Sequence, residues 1–188
     1  MKNSCLLIIT AIIFLSGCSA SRKTNHIVNN HKGVPISSNV ILREKVSPRT
    51  INTKSIPAET VVQFALTLQG IPYKYGSAVK EKGFDCSGFI SYIFNNYKIS
   101  VPRASKDYTN AGKTVSTLES KRGDIILFTG SDPKSGVVGH MGLITKNDNG
   151  LLQFIHVSSG NGGGVMVSKM NSYFMPRFVK VIRVFKNI

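Results

Sequence analysis

Cys86 lies in the run Asp85-Cys86-Ser87-Gly88-Phe89, and two histidines, His140 and His156, stand well downstream of it. A thiol and an imidazole are the two parts of a nucleophile–base pair. The thiolate is the attacking form, and a free thiol ionises only near about 8.5. Two features are expected to lower that value. Cys86 sits at the expected start of a helix, where unbonded N–H groups and the helix dipole favour negative charge. A neighbouring imidazole supplies the other half of an ion pair. In this scheme Cys86 attacks a carbonyl, and His140 takes the thiol proton and later returns a proton to the leaving amine. His156 orients the ring of His140, and the Cys86 backbone N–H helps hold the developing oxyanion.

Cysteine usage sharpens the case. The chain has three cysteines, Cys5, Cys18 and Cys86. Residues 5–15 form an apolar run behind Lys2. That run has the length of a secretory signal core and falls short of the roughly 20 residues that span a membrane. Leu15-Ser16-Gly17-Cys18 follows and resembles the lipobox of bacterial lipoproteins. The resemblance implies a signal peptide over 1–17, cleavage before Cys18 and acylation of Cys18. The mature chain is then exported and lipid-anchored to a bacterial membrane, the outer membrane facing the periplasm in a Gram-negative cell. Cys86 becomes the one free thiol of the mature chain, in a compartment that oxidises thiols.

Other readings compete for these residues. A lone cysteine at a helix start also serves as a small buried hydrophobe. Cys86, His140, His156 and a carboxylate also add up to four zinc ligands. No close ligand pair of the Cys-x2-Cys kind is present, so no metal and no cofactor are expected. The formal charge is +15, spread along the chain. Nucleic acid is the usual partner of so basic a chain. Export argues against that and favours an anionic cell wall or anionic lipid head groups.

The elements that must position these groups can be read from period and punctuation. Residues 18–57 are rich in Ser, Asn, Thr and Lys, carry Pro35, Pro48 and Pro57, and show no sustained period. They are expected to be a flexible tether. Residues 58–188 suffice for one core, and a monomer is expected. A helix is predicted over 58–69, with Gly70 as its stop, and a second over 86–97, with Asp85 as N-cap. A short helical turn should start near Ser105. Strands are predicted over 124–128, 140–145, 151–157, 165–168 and 178–185. Asp124 is expected to be structural, and the glycines at 162–164 to be a flexible turn. Helices followed by consecutive strands make an α+β domain with an antiparallel sheet. Adjacent strands can place His140 and His156 on one face near the start of the cysteine helix.

Asp85-Cys86-Ser87-Gly88-Phe89, Gly139-His140-Met141-Gly142 and Ile155-His156-Val157-Ser158, in this order, resemble the NlpC family of papain-like bacterial cysteine peptidases. The likeness extends to Gly70-Ile71-Pro72-Tyr73, Val101-Pro102-Arg103, Gly123-Asp124-Ile125-Ile126-Leu127-Phe128, Tyr173-Phe174 and Arg177-Phe178-Val179. It implies a papain-like fold and a triad of Cys86, His140 and His156. It also places Tyr73 beside the oxyanion or substrate, and Asp85 and Ser87 on the groove wall. Arg103 either grips a substrate carboxylate or holds a neighbouring loop. The implied substrates are peptidoglycan stem peptides, cut at bonds such as D-glutamyl to diaminopimelate or, in the Spr-like lipoprotein members, at cross-links. Three departures touch the groove: Gly76-Ser77 replaces the usual Gly-Gly, Tyr108 replaces a frequent glutamine, and the stretch 129–139 is longer than in compact members. Two other functions stay open: a lipoprotein that binds wall peptides without cutting them, and an amidase or acyltransferase of related fold.

Overall fold

The computed structural model describes residues 50–160 and 162–186. The expected signal peptide, Cys18 and the tether through residue 49 lie outside them. Residues 50–57, assigned by sequence to the tether, belong to the packed domain instead. Ile51 and Thr53 are buried, and the Ile51 N–H donates to the Ala111 carbonyl at 3.3 Å. One or two buried side chains among polar neighbours leave no period to detect.

Helix α1 (Ala58–Leu66) buries Ala58, Val61, Val62 and Ala65 along one stripe. It ends three residues earlier than expected, in turns that reach Gly70 at φ +86°. Helix α2 (Cys86–Asn95) buries Phe89, Ile90, Ile93 and Phe94. Its N-cap is Asp85, whose carboxylate accepts the Gly88 N–H at 2.6 Å, a cap of about 1 kcal/mol. Between the helices lies a hairpin of β1 (Ala78–Val79) and β2 (Gly83–Phe84), too short to leave a sequence signal. The turn expected near Ser105 is a 3-10 helix over Ser105–Asn110.

The remaining strands are β3 (Lys113–Val115), β4 (Ile125–Thr129), β5 (Val138–Asp148), β6 (Leu151–Val157), β7 (Val165–Lys169) and β8 (Phe178–Arg183). They form one antiparallel sheet in the order β3-β8-β4-β5-β6-β7. The α+β class expected from sequence is the one observed. β3 was not expected, β5 runs further at both ends, and β8 stops short of residue 185.

Alternation along the strands divides the sheet between two cores. Ile125, Leu127, Met141, Leu143, Ile155 and Val157 pack with the apolar faces of α1 and α2. Ile126, Phe128, Ile144, Phe154 and Val181 pack on the other face with Phe174. Each fully buried Phe or Ile contributes roughly 1.5–3 kcal/mol, so both faces hold the sheet in place. Asp124 is fully buried and bonds Arg183 of β8 through both oxygens, Oδ1 to Nε at 2.9 Å and Oδ2 to Nη2 at 2.7 Å. Its role is structural, as the sequence suggested.

Candidate active site

Close backbone approach fixes the nucleophile's helix. A Cβ on Gly88 would sit 2.0 Å from the Ser77 carbonyl oxygen, so only glycine lets the first turn of α2 press against this loop. That same carbonyl accepts the Asp85 N–H at 3.0 Å. The Ser77 hydroxyl accepts the Val79 N–H at 3.2 Å. Tyr73 is placed by backbone bonds on both sides of it. Its N–H donates to the Gly163 carbonyl at 3.2 Å, and the Phe84 N–H donates to the Pro72 carbonyl at 3.0 Å. The glycine run is thus clasped to the tyrosine loop. A Cβ on Gly164 would lie 2.5 Å from the Ile71 oxygen.

Sheet register brings the imidazoles together. Gly142 of β5 pairs with His156 of β6, and His140 stands two residues before Gly142. The histidines are therefore diagonal neighbours on one face. His140 Nε2 lies 3.0 Å from His156 Nδ1, with ring centroids 5.1 Å apart and planes at 86°. Gly142 leaves room for them, since a Cβ there would come within 3.2 Å of the His156 Cβ and 2.9 Å of the Phe154 ring. His156 Nε2 is 2.9 Å from the Ser168 hydroxyl of β7.

These contacts form a line with one consistent proton assignment. If His140 is to accept a proton on Nδ1, its Nε2–H donates to His156 Nδ1. The remaining His156 Nε2–H then donates to the Ser168 Oγ. The assignment stays the same once His140 is charged.

The histidines' sheet face is the one turned away from α2. Their rings pack among Phe128, Phe154 and Phe174 of the second core. Cys86 reaches the same end of the sheet, with its thiol 3.7 Å from the carbonyl of Gly139, the residue before His140. The other thiol partner is the Ser105 hydroxyl at 3.3 Å. A cavity of about 840 Å³ is lined by all seven catalytic and groove residues nominated from sequence: Cys86, His140, His156, Tyr73, Asp85, Ser87 and Arg103.

The ionisation expected for the thiol is corrected by its surroundings. Burial pushes the Cys86 thiol up. The Ser105 hydroxyl and the backbone N–H groups of the first turn act in the expected downward direction but do not outweigh it, and the Asp85 charge adds to the rise. Burial also lowers His140 to about 4, and burial with the neighbouring His140 lowers His156 to about 3. Burial thus acts against the charged form of the thiol and of both imidazoles. Burial holds the Tyr73 hydroxyl above its ordinary value, with the Asp85 carboxylate adding to the rise, so it remains a donor.

Arg103 takes the second of its two expected roles. Its guanidinium binds both Asp85 oxygens, at 3.0 and 2.7 Å, and the Ser87 hydroxyl at 3.0 Å. It thereby ties the segment after α2 to the helix cap. Tyr108, at the family's glutamine position, is fully buried and fills the core. Ser105 and Ser168 were not found by sequence reasoning. Each is one serine among many, and only register and folding bring it to the site. Among the described residues no three His, Cys, Asp or Glu side chains group closely enough to hold a metal ion.

A cysteine on the first turn of a helix, facing imidazoles from an antiparallel sheet across a cleft, defines a papain-like fold. The NlpC/P60 family model matches residues 70–183, and the chain belongs to that family. It is 29% identical over 181 residues to an Escherichia coli K12 protein named "Murein DD-endopeptidase MepS/Murein LD-carboxypeptidase", covering 94% of this chain and 89% of that one. It is 31% identical over 183 residues to a Haemophilus influenzae protein named "Probable endopeptidase", covering 95% and 96%. Among solved structures it resembles the peptidoglycan hydrolase RipB of Mycobacterium tuberculosis, with TM-score 0.56, 30% identity and coverage of 72% of this chain and 71% of that one. A lipoprotein-like NLP/P60 protein of Staphylococcus aureus matches with TM-score 0.58 and 26% identity over 76% of this chain, which spans only 45% of that longer protein.

Proposed function

We propose that this chain is a peptidoglycan endopeptidase, a cysteine peptidase that hydrolyses amide bonds of cell-wall stem peptides through an acyl-enzyme. The observation that carries this is the bonded line Ser168–His156–His140, ending in the cavity that also receives Cys86 from a capped helix start. The names of the E. coli and mycobacterial relatives support the substrate class, and the DD-endopeptidase name supports cross-link bonds over D-glutamyl–diaminopimelate bonds.

In this reading Cys86, His140 and His156 are the triad. Burial works against a resting ion pair, so proton transfer accompanies attack. Sulfur bonds to the carbonyl carbon as the thiol proton passes to His140, and the imidazolium is held by the His156 Nδ1 lone pair. The oxyanion takes the Cys86 N–H, which has no intrahelical acceptor, and the protonated Tyr73 hydroxyl. The C–N bond breaks as His140 gives its proton to the leaving amine. Water then attacks the thioester as His140 takes its proton, the C–S bond breaks to free the acid, and the proton returns from His140 to the Cys86 sulfur. Asp85 and Ser87 line the groove and meet the peptide with Arg103 already bound to them.

The same reading includes export by the segment 1–17, lipid attachment at Cys18, a tether that lifts a monomeric domain from the membrane, and no nucleic-acid partner. The E. coli alignment, covering 94% of the chain, extends into this N-terminal region and supports a shared layout. Labelling with radioactive palmitate should mark the wild type and not Cys18→Ala, and sedimentation of the soluble domain should give the mass of one chain.

The deciding experiment is incubation with purified sacculi, followed by chromatography and mass spectrometry of muropeptides. Wild type should release new fragments whose masses identify the bond, and Cys86→Ala should release none. Unchanged muropeptides with the wild type, or equal release by Cys86→Ala, would refute the proposal.

A further inference from the structure

Among the described residues lining the catalytic cavity, three carry formal charge: Asp85, Arg103 and Arg177. The first two neutralise each other through a bidentate pair. Arg177 pairs with no carboxylate among the described residues. Its Nη1 donates to the Tyr173 carbonyl at 2.8 Å, and its guanidinium carbon lies 4.1 Å above the Tyr173 ring. Its Nε is buried with no hydrogen-bond partner. A buried N–H left unpaired is costly unless something arrives to accept from it. A guanidinium with free donors in a cleft is built to take a carboxylate through a two-pronged contact.

The position of this cation is set by the catalytic rings. Tyr173 packs edge-on against Phe174 at 5.1 Å, and Phe174 packs edge-on against His156 at 5.4 Å. Arg177 therefore belongs to the imidazole side of the cavity, while Arg103 and Asp85 belong to the cysteine-helix side. The neutral pair leaves the helix side without a net charge, so the cavity's excess positive charge lies beyond the histidines.

We propose that Arg177 is a specificity-determining residue that binds a free carboxylate of the substrate on the imidazole side of the reacting amide. The ligand class is a peptide with an ionised α-carboxyl beside the bond to be cut. Side-chain-linked amides, such as those of D-glutamyl and diaminopimelyl residues, leave such a group in place. This assignment rests on the endopeptidase reading and adds to it what the cavity demands of the peptide.

The test uses matched stem peptides that differ only in whether this carboxyl is free or amidated. Wild type should prefer the free acid on the order of 10- to 100-fold in kcat/KM, the range of a charge-assisted contact. The preference should appear mainly in KM. Arg177→Gln should lose it, cutting the free acid and the amide with equal kcat/KM. Arg177→Lys keeps the charge without the fork and should fall between. Titration of the two peptides into the Cys86→Ala protein, with and without Arg177→Gln, reads the same ratio as affinities and needs no turnover. A wild type that does not discriminate, or a ratio unchanged in either Arg177 variant, overturns the assignment. Discrimination in binding with no cleavage of either peptide by wild type would instead count against the endopeptidase reading while upholding the role of Arg177.

Discussion

Asp85 caps the helix that bears Cys86 and is at the same time clamped by Arg103, so the carboxylate beside the nucleophile is neutralised by the segment that follows that helix. The clamp matters because the Asp85 charge raises the thiol's pKa. Arg103→Ala leaves that charge unopposed, and Cys86 should then alkylate with iodoacetamide several-fold more slowly at pH 7.5. Asp85→Asn keeps an N-cap and removes the charge, so it should react faster than wild type. Rate–pH profiles of alkylation check both directions.

The Ser105 hydroxyl acts on the same sulfur with the opposite sign. It stabilises the thiolate, so Ser105→Ala should shift the alkylation profile to higher pH while the fold and melting temperature stay close to wild type. A profile that does not move would remove Ser105 from the account.

Ser168 is the far end of the imidazole line. Ser168→Ala releases His156 Nε2 and should lower kcat by about tenfold with KM little changed, because an orienting group is lost and not a proton carrier. His140→Ala removes the base itself and should cost roughly 10²- to 10⁴-fold. Steady-state kinetics on one defined muropeptide orders the two.

Stability should fall on the acid side of neutrality. His140 and His156 are held neutral when folded, at about 4 and about 3, against an ordinary value of 6.5. Between pH 6.5 and about 4 the unfolded chain binds more protons than the folded one. Stability is therefore full above 6.5 and is lost as pH falls through this window. Urea midpoints at pH 7.5, 6 and 5 should decline in that order, and less steeply in His156→Gln.

Asp124 tests the frame independently of the chemistry. Asp124→Ala strands the Arg183 guanidinium, 20% exposed, in a site built for a carboxylate. A loss of about 3 kcal/mol is expected, the range for breaking a buried pair. Urea unfolding measures it, and Cys86 labelling of the folded fraction should be unchanged.

The parts legible in the sequence were those with a local signature. The cap at Asp85, the stripe of α2 and the strand at 151–157, bounded by polar clusters, each follow from neighbours in the chain. The seven nominated catalytic and groove residues do line one cavity. What was not legible needed distance. The thiol was expected to ionise because the helix end is a local fact, whereas the burial that outweighs it depends on the assembled cleft. Ile51 joins the core through Ala111, far along the chain. β3 is three residues long and is fixed only by pairing with β8. Arg103 and Arg177 look alike in sequence, and only their partners separate a structural clamp from an unmatched cation.

The two cores of the sheet have a consequence for when the protein is dangerous to its host. The sulfur is suspended from one hydrophobic layer and the proton acceptor from the other, so neither layer alone assembles a working blade. A partly folded chain is disarmed by geometry, and cutting power emerges only when both layers have closed on the shared sheet. The architecture itself acts as a safety catch.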